Sequence, residues 1–266
     1  MNAILPIGDH LRQWRRRRRM SQLDLACAAE VSARHLRFLE TGRAQPSREM
    51  VLNLAGRLEV PARDRNVLLV AAGYAPAFPE RALSDPALQA PREAIDLILE
   101  GQKPYPAFAL DRHWNVAASN GALPALYEGV AAALLAAPVN VLRLSLHPEG
   151  LAPRIANLAQ WRGHLLARLR GQIDLTADPV LVDLMAELAA YPCGESSLGR
   201  AGGRGHAGAV VPLQIDTRAG RLAFLSTTMV FGTPVDITLS ELAVESFFPG
   251  DADTARRVHA LAAETP

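Results

Sequence analysis

The chain has 266 residues, 49% of them hydrophobic and 21% charged, which is the balance of an ordinary globular protein of one or two domains. No run of eighteen uninterrupted apolar residues occurs, and no apolar stretch precedes a small-residue cleavage site, so neither a membrane span nor a secretory leader is predicted. The formal net charge of +1 conceals an asymmetry: residues 1–75 hold thirteen Arg against seven Asp or Glu, and the remainder holds fifteen basic against twenty acidic residues. A basic front on an acidic body points to a polyanion as the partner of the front. The two cysteines, Cys27 and Cys193, read as reduced thiols of a cytoplasmic protein, and the histidines are scattered singly, so neither a disulfide framework nor a metal site is expected.

Five helices are predicted in residues 1–75. The first runs from about Gly8 to Arg19, marked by Leu11 and Trp14, and ends in five consecutive arginines, Arg15 to Arg19. Ser21 caps a second helix whose inner positions are read as Leu23, Leu25 and Ala26. The chain turns at Ala29-Glu30-Val31. Ser32 caps a third helix that places Leu36 and Leu39 inward and ends at Gly42. Ser47 caps a fourth, with Met50, Leu52, Leu54 and Leu58, and Pro61 opens a fifth that closes near Gly73.

Two helices joined by so short a turn form a helix-turn-helix. The third helix carries Ala33, Arg34, Arg37 and Phe38 on one outward stripe, which suits the major groove of double-stranded DNA. Arginine can donate to both acceptors of guanine, so Arg34 and Arg37 are the base-reading candidates; the alternative is a pair of solvated surface arginines. "SQLDLACAAEVSARHLRFLETGR" resembles the phage-repressor-like, or XRE, helix-turn-helix, matching at Ser21, Gln22, Leu25, Ala26, Val31, Ser32, Leu36, Leu39, Glu40 and Gly42. Glu30 departs from the family's usual turn glycine and would cost ~1 kcal/mol in a left-handed conformation. The resemblance implies that Arg15 turns inward to pair with Glu40, and that Gln22 contacts phosphate. Arg16 to Arg19 are expected beside the DNA backbone, and Arg43 is a further phosphate candidate.

A Pro- and Ala-rich stretch, residues 76–90, reads as a linker. Residues 91–266 follow as an α+β domain. It begins with a helix (Arg92 to Glu100), a strand (Phe108 to Asp111), a turn, a second strand (Trp114 to Ser119) and a helix opened by Asn120. Helices are predicted from Pro153 to Gly171 and from Pro179 onward, then a Gly-rich loop, then strands in "AVVPLQID", "RLAFLSTTMVF" and "VDITLSELAVESFF". The strand–turn–strand–helix opening resembles a PAS domain. "PYPAFALDRHWNVAASN", "NVLRLSLHPEGLAPRIANLAQWRGHLLARL" and "LSTTMVFGTPVDITLSELAVESFFP" resemble the MmyB-like transcription-regulator ligand-binding domain. The fold expected is therefore multidomain: an all-α five-helix helix-turn-helix domain followed by an α+β PAS-like domain. The resemblance implies an apolar cavity and a lipophilic ligand such as a fatty acid.

Phe108, Leu110, Trp114, Leu123, Leu126, Trp161, Leu165, Phe224 and Phe231 are the candidates to line that cavity, or simply to fill a core. Asn120, Arg143, His147, Asn157 and Arg162 are the polar candidates for a ligand head group. Their alternatives are a helix cap for Asn120, a turn for His147 and a surface charge for Arg162. The glycines from Gly203 to Gly208 fit GxGxxG, but a polar loop precedes them and a strand pattern follows, so no dinucleotide site is read. No catalytic residue, metal or cofactor is expected. A homodimeric regulator on an inverted-repeat operator is the reading. The alternatives are a flavin- or haem-sensing regulator, or an enzyme fused to a DNA-binding domain.

Overall fold

The computed structural model describes residues 5–122, 124–192, 211–231 and 236–263. The chain forms two compact units: residues 1–81 with 234–240, and residues 82–233 with 241–266. The two thus interleave in sequence.

The first unit is helical: α1 (Ile7–Arg17), α2 (Gln22–Ala28), α3 (Ala33–Glu40), α4 (Arg48–Arg57) and α5 (Ala62–Ala71). Local chemistry sets the starts. Ser21, Ser32 and Ser47 each accept from the backbone N–H three residues on, and Ser21 with Asp24 forms a reciprocal capping box. Glu30 closes the α2–α3 turn with φ of 57°, and Gly42 ends α3 at 72°. Leu11, Leu25, Leu36, Leu39, Leu54 and Leu69 share one core. Leu23, expected inside, is 61% exposed. It lies two residues before Leu25, some 200° round the helix at 100° per residue, so both cannot face the core. Gly8 lets α1 approach the end of α3, for a Cβ there would stand 2.6 Å from the Leu39 carbonyl oxygen.

The same unit gains a late segment. The Asp236 carboxylate, fully buried, receives Arg81 Nη1 at 3.1 Å, Ile237 N donates to the Pro79 carbonyl, and Thr238 Oγ1 donates to the Arg81 carbonyl. Asp236 also accepts from Thr238 N, which starts the short helix α11 (Ile237–Ser240). The first part of "VDITLSELAVESFF" is therefore helical rather than the expected strand.

The second unit holds α6 (Gln89–Gly101), α7 (Ala132–Leu135), α8 (Val141–Leu146), α9 (Leu158–Thr176), α10 (Pro179–Ala190) and α12 (Ala252–Ala263). Its antiparallel sheet has the order β2-β1-β5-β4-β3, from β1 (Ala107–Leu110), β2 (Val116–Ser119), β3 (Leu213–Thr217), β4 (Gly220–Val230) and β5 (Ala243–Pro249). The terminal helix α12 was not expected. Its Thr254 hydroxyl accepts from Ala223 N, and Val258 and Leu261 join the main core. Asn120 opens no helix. Its side chain is consumed by four backbone bonds, accepting from Ala107 N and Ala122 N and donating to the Leu99 and Tyr105 carbonyls. The helix expected from Pro153 starts at Leu158, because Ile155 bridges Ile215 and Ala156 N donates to the Gln214 carbonyl. No described helix is long and apolar enough to cross a membrane.

Candidate functional site

The candidate residues gather in two places, one in each unit. In the first, α3 presents Ser32, Ala33, Arg34 and Arg37 to solvent, while Leu36 and Leu39 anchor its opposite face. Ser32 itself spends its hydroxyl as the cap, accepting from His35 N at 3.1 Å. Phe38 is half-buried, and the Arg34 guanidinium lies 5.4 Å from its ring centroid. That stacking costs Arg34 little freedom and leaves its donors outward. Arg43 is exposed just beyond α3.

Beneath the helix sits a buried carboxylate. Glu40 is bound by Arg15 through Nε at 2.6 Å and Nη2 at 2.9 Å, while Arg15 Nη1 donates to the Met20 carbonyl. Gln22 Nε2 donates to the same carboxylate at 2.8 Å, so its amide serves α3 from within. Burial pushes the Glu40 carboxyl up, but the Arg15 and Gln22 hydrogen bonds and the Arg15 and Arg12 charges outweigh it and hold the group below the usual glutamate range. The arginine run is therefore divided. Arg15 is internal, Arg17 lies 4.4 Å over the Trp14 ring, and Arg18 donates to the Leu58 and Glu59 carbonyls at the end of α4. Arg16 and Arg19 remain exposed and available to a phosphate backbone.

In the second unit, α8, α9 and the sheet line a partly open apolar cavity of about 80 Å³. The sheet contributes Phe108 and Leu110 from β1, Leu213 from β3, Phe224 from β4, and Glu245 and Phe247 from β5. Helix α9 contributes Trp161, Leu165 and Arg168, at spacings of four and three that keep them on one face. Leu126, Tyr127, Leu144, Ser145 and Leu151 close the remaining wall. Burial pushes the Tyr127 hydroxyl up to about 12, so it stays a neutral phenol.

Trp114 is the unusual wall residue. It sits in the β1–β2 turn with φ of 67°, a conformation that costs a bulky residue ~1–2 kcal/mol. The turn is braced by Asp111 Oδ1, which accepts from His113 N and Asn115 N at 2.8 Å. The Trp114 indole N–H donates to Gln172 Oε1 at 2.7 Å, and Arg168 stacks 4.8 Å from the ring centroid. Arg168 in turn donates from Nη1 and Nη2 to the two oxygens of Glu245, both at 2.9 Å, and from Nη2 to Thr228 Oγ1. The Trp161 indole N–H donates to Ser145 Oγ at 2.9 Å in the opposite wall. The Trp114, Trp161, Ser145, Arg168 and Glu245 side chains of the cavity wall are thus paired, as burial requires.

Residues 91–261 match the family model described as the MmyB-like transcription regulator ligand binding domain, and residues 6–68 match one described as a helix-turn-helix domain. The chain belongs to the MmyB-like transcription regulators. It combines a DNA-binding helix-turn-helix with an MmyB-like ligand-binding domain, in a multidomain arrangement of an all-α part followed by an α+β part. No curated protein matches the chain.

In this MmyB-like domain the sequence candidates separate into two groups. Phe108, Leu110, Trp114, Leu126, Trp161, Leu165 and Phe224 stand together around the cavity. Phe231 packs instead with the cluster of Ile95 and Leu99, and Leu123 lies outside the described residues, as do Cys193 and the glycines from Gly203 to Gly208. None of the polar candidates lines the cavity. Asn120 is committed to backbone as described, and Asn157 joins Pro212 and Gln214 at the edge of β3. Arg143 pairs with Glu187, and the His147 ring meets Tyr191 edge-on at 5.0 Å. Arg162 caps the end of α10 by donating to the Leu188, Ala189 and Tyr191 carbonyls. The polar wall is made by Ser145, Arg168 and Glu245, which the sequence reading passed over. One signal existed: Arg168 lies seven residues after Trp161 and three after Leu165, on their helical face.

Proposed function

We propose that this regulator reads an operator through α3 and that a small lipophilic molecule in the MmyB-like domain adjusts that binding. In this division of labour residues 1–75 read DNA, with residues 76–81 and 236–240 completing their unit, and the remainder of residues 91–266, with a PAS-like fold, senses the ligand. Arg34 and Arg37 read bases, and Ser32, Ala33 and Phe38 shape the contacting surface. Arg43, Arg16 and Arg19 supply salt-dependent phosphate affinity. Helix-turn-helix readers gain specificity from two half-sites about one DNA turn apart, so the active form is a homodimer on an inverted repeat.

The observation that carries the reading is the apolar cavity inside the domain matched by the ligand-binding model, within a chain that also exposes a basic α3. The resemblance implies a fatty acid, and the cavity supports the acyl part of that reading. Its volume of about 80 Å³ falls far below the ~300–1,000 Å³ of sites for drug-sized molecules, so a flavin, a haem or a long acyl chain alike would require the walls to part. Control of DNA binding needs a coupling of ~1–3 kcal/mol between ligand and operator.

The test is mass spectrometry of a solvent extract of the purified protein, followed by titration of the extracted compound against operator binding. A stoichiometric lipophilic compound that changes DNA affinity ~5–150-fold is expected, the span of that coupling. A visible absorption band from a bound chromophore would replace this reading with a cofactor-sensing one. Substrate turnover by a protein that ignores DNA would replace it with an enzyme.

A further inference from the structure

Resting on the ligand-binding reading above, we propose that residues 236–245 form the lever that carries ligand entry to the DNA-reading unit. The segment belongs to both units by chain order: residues 236–240 are part of the first, and from Glu241 the chain is part of the second. Each half is gripped separately. In the first unit Asp236 is fully buried on Arg81, Ile237 N donates to the Pro79 carbonyl at 2.9 Å, and Ile237 and Leu239 are buried. A loose tether would need no buried carboxylate, which is costly to take out of water unless it is paired. In the second unit two arginines hold the other half. Arg112 Nε lies 3.9 Å from the Glu241 carboxylate, with Nη1 3.6 Å from Asp178. Arg168 holds both Glu245 oxygens at 2.9 Å. Both arginines are also tied to Trp114. The Arg112 carbonyl accepts from Gln172 Nε2, Gln172 Oε1 accepts from the Trp114 indole N–H, and Arg168 stacks on the same ring. Trp114 and Glu245 both line the cavity, so this half of the segment is built into the cavity wall.

The cavity of about 80 Å³ takes a long acyl chain only if wall residues move. Glu245 and Phe247 stand on β5, the central strand, which pairs with β1 on one edge and β4 on the other. A strand so held shifts as a piece, because packed interiors transmit strain rather than absorb it. Glu245 lies four positions after Glu241, which directly follows Ser240. Extended chain at roughly 3.3 Å per residue has no slack over so short a span, and Leu242 and Val244 within it are buried. Displacement of β5 therefore reaches α11. There the buried Asp236 and the bonds to Pro79 and Arg81 convert it into a change within the first unit.

The experiment inserts Gly-Gly-Ser between Ser240 and Glu241 of the full-length protein, adding about 10 Å of flexible chain while leaving every named contact able to form. Dodecanoate is the probe, and the DNA is the duplex that the wild-type protein selects from a random-sequence pool. Isothermal titration reads dodecanoate affinity, and gel shifts read DNA affinity with and without it. For the wild type, saturating dodecanoate is expected to change DNA affinity ~5–150-fold. In the insertion variant both separate affinities should stay within about three-fold of wild type, while that change falls below about two-fold. A matching insertion after Arg218, in the β3–β4 turn, should keep the response. Hydrogen exchange of the wild type gives a second reading should the variant fail to fold. The Ile237 and Ser240 amides, bonded to the Pro79 and Asp236 carbonyls, should change their exchange rates at least about five-fold when dodecanoate binds. A folded insertion variant that keeps the wild-type response, or that loses DNA binding without ligand, overturns the inference and leaves the ligand-binding reading standing. Unchanged exchange at both amides in a wild type that responds to dodecanoate does the same, and places the moving wall elsewhere. Dodecanoate that fails to bind the wild type, or binds without changing DNA affinity, removes the regulatory reading itself, and the inference with it.

Discussion

Replacing Arg15 with alanine tests whether the arginine run serves the fold or the DNA. Arg15 makes two hydrogen bonds to Glu40, at 2.6 and 2.9 Å, and one to the Met20 carbonyl at 2.9 Å. Its side chain is 11% exposed and that of Glu40 only 1%, so solvent screening discounts the pair little. Breaking a buried ion pair by removing one partner costs ~3–5 kcal/mol, because the other charge is stranded. Here Gln22 still donates to Glu40, and Arg12 remains nearby to offset part of the loss. The expected cost is therefore at the lower end, about 3 kcal/mol. A unit of this size loses ~4–8 °C per kcal/mol, so the first thermal transition should fall by ~12–24 °C. Far-UV circular dichroism or scanning calorimetry of the full chain reads it directly. Arg15→Lys keeps the charge but not the two-point geometry and should fall between. If Arg15→Ala melts with the wild type yet binds operator poorly, the residue is a DNA contact and the buried-pair argument is wrong.

Other outcomes follow from the same geometry. Arg34→Ala should narrow the gap between operator and random-sequence affinity by ~1–3 kcal/mol in competition gel shifts; equal loss on both DNAs would make it a phosphate contact. Glu30→Gly should stabilise the first unit by ~0.5–1 kcal/mol in chemical denaturation, since φ of 57° is free of Cβ strain only for glycine. An unchanged midpoint would show that the turn bears no strain. The depressed Glu40 carboxyl contributes stability above the ordinary glutamate range and gives it up as pH falls through its lower folded value. The first transition should accordingly drop on acidification below about pH 4.3 in wild type, and Glu40→Gln should flatten that slope. A slope that survives the substitution would trace the acid sensitivity to other carboxylates.

What was legible in the sequence was local. Ser21, Ser32 and Ser47 reach backbone only three residues away, so their caps and the helices they start could be read directly. The apolar cavity wall was legible too, because Trp161 and Leu165 repeat at helical spacing and Phe108, Leu110 and Phe224 lie in strand patterns. The polar wall was not. Arg168 and Glu245 are 77 residues apart, and nothing near either one marks the other. Arg143 and Arg162 looked equally suitable, and only the tertiary fold gives them Glu187 and the end of α10. Asn120 shows the same limit in reverse: a residue type that usually caps helices here holds the β1 and β2 ends through four bonds. The strand pattern of "VDITLSELAVESFF" failed because the Asp236 side chain, bonded to Thr238 N, turns the chain before β5 begins.

The contact between Arg81 and Asp236 joins residues 155 positions apart within the first unit. On the ribosome, α1 to α5 emerge early and already own most of their core. Their last piece, the turn of α11 against Pro79 and Arg81, arrives only after some 155 further residues have been made. A nascent or truncated chain ending near residue 81 therefore has a DNA-reading helix set without its final strap. Synthesis of residues 236–240 becomes the event that finishes the DNA-binding unit.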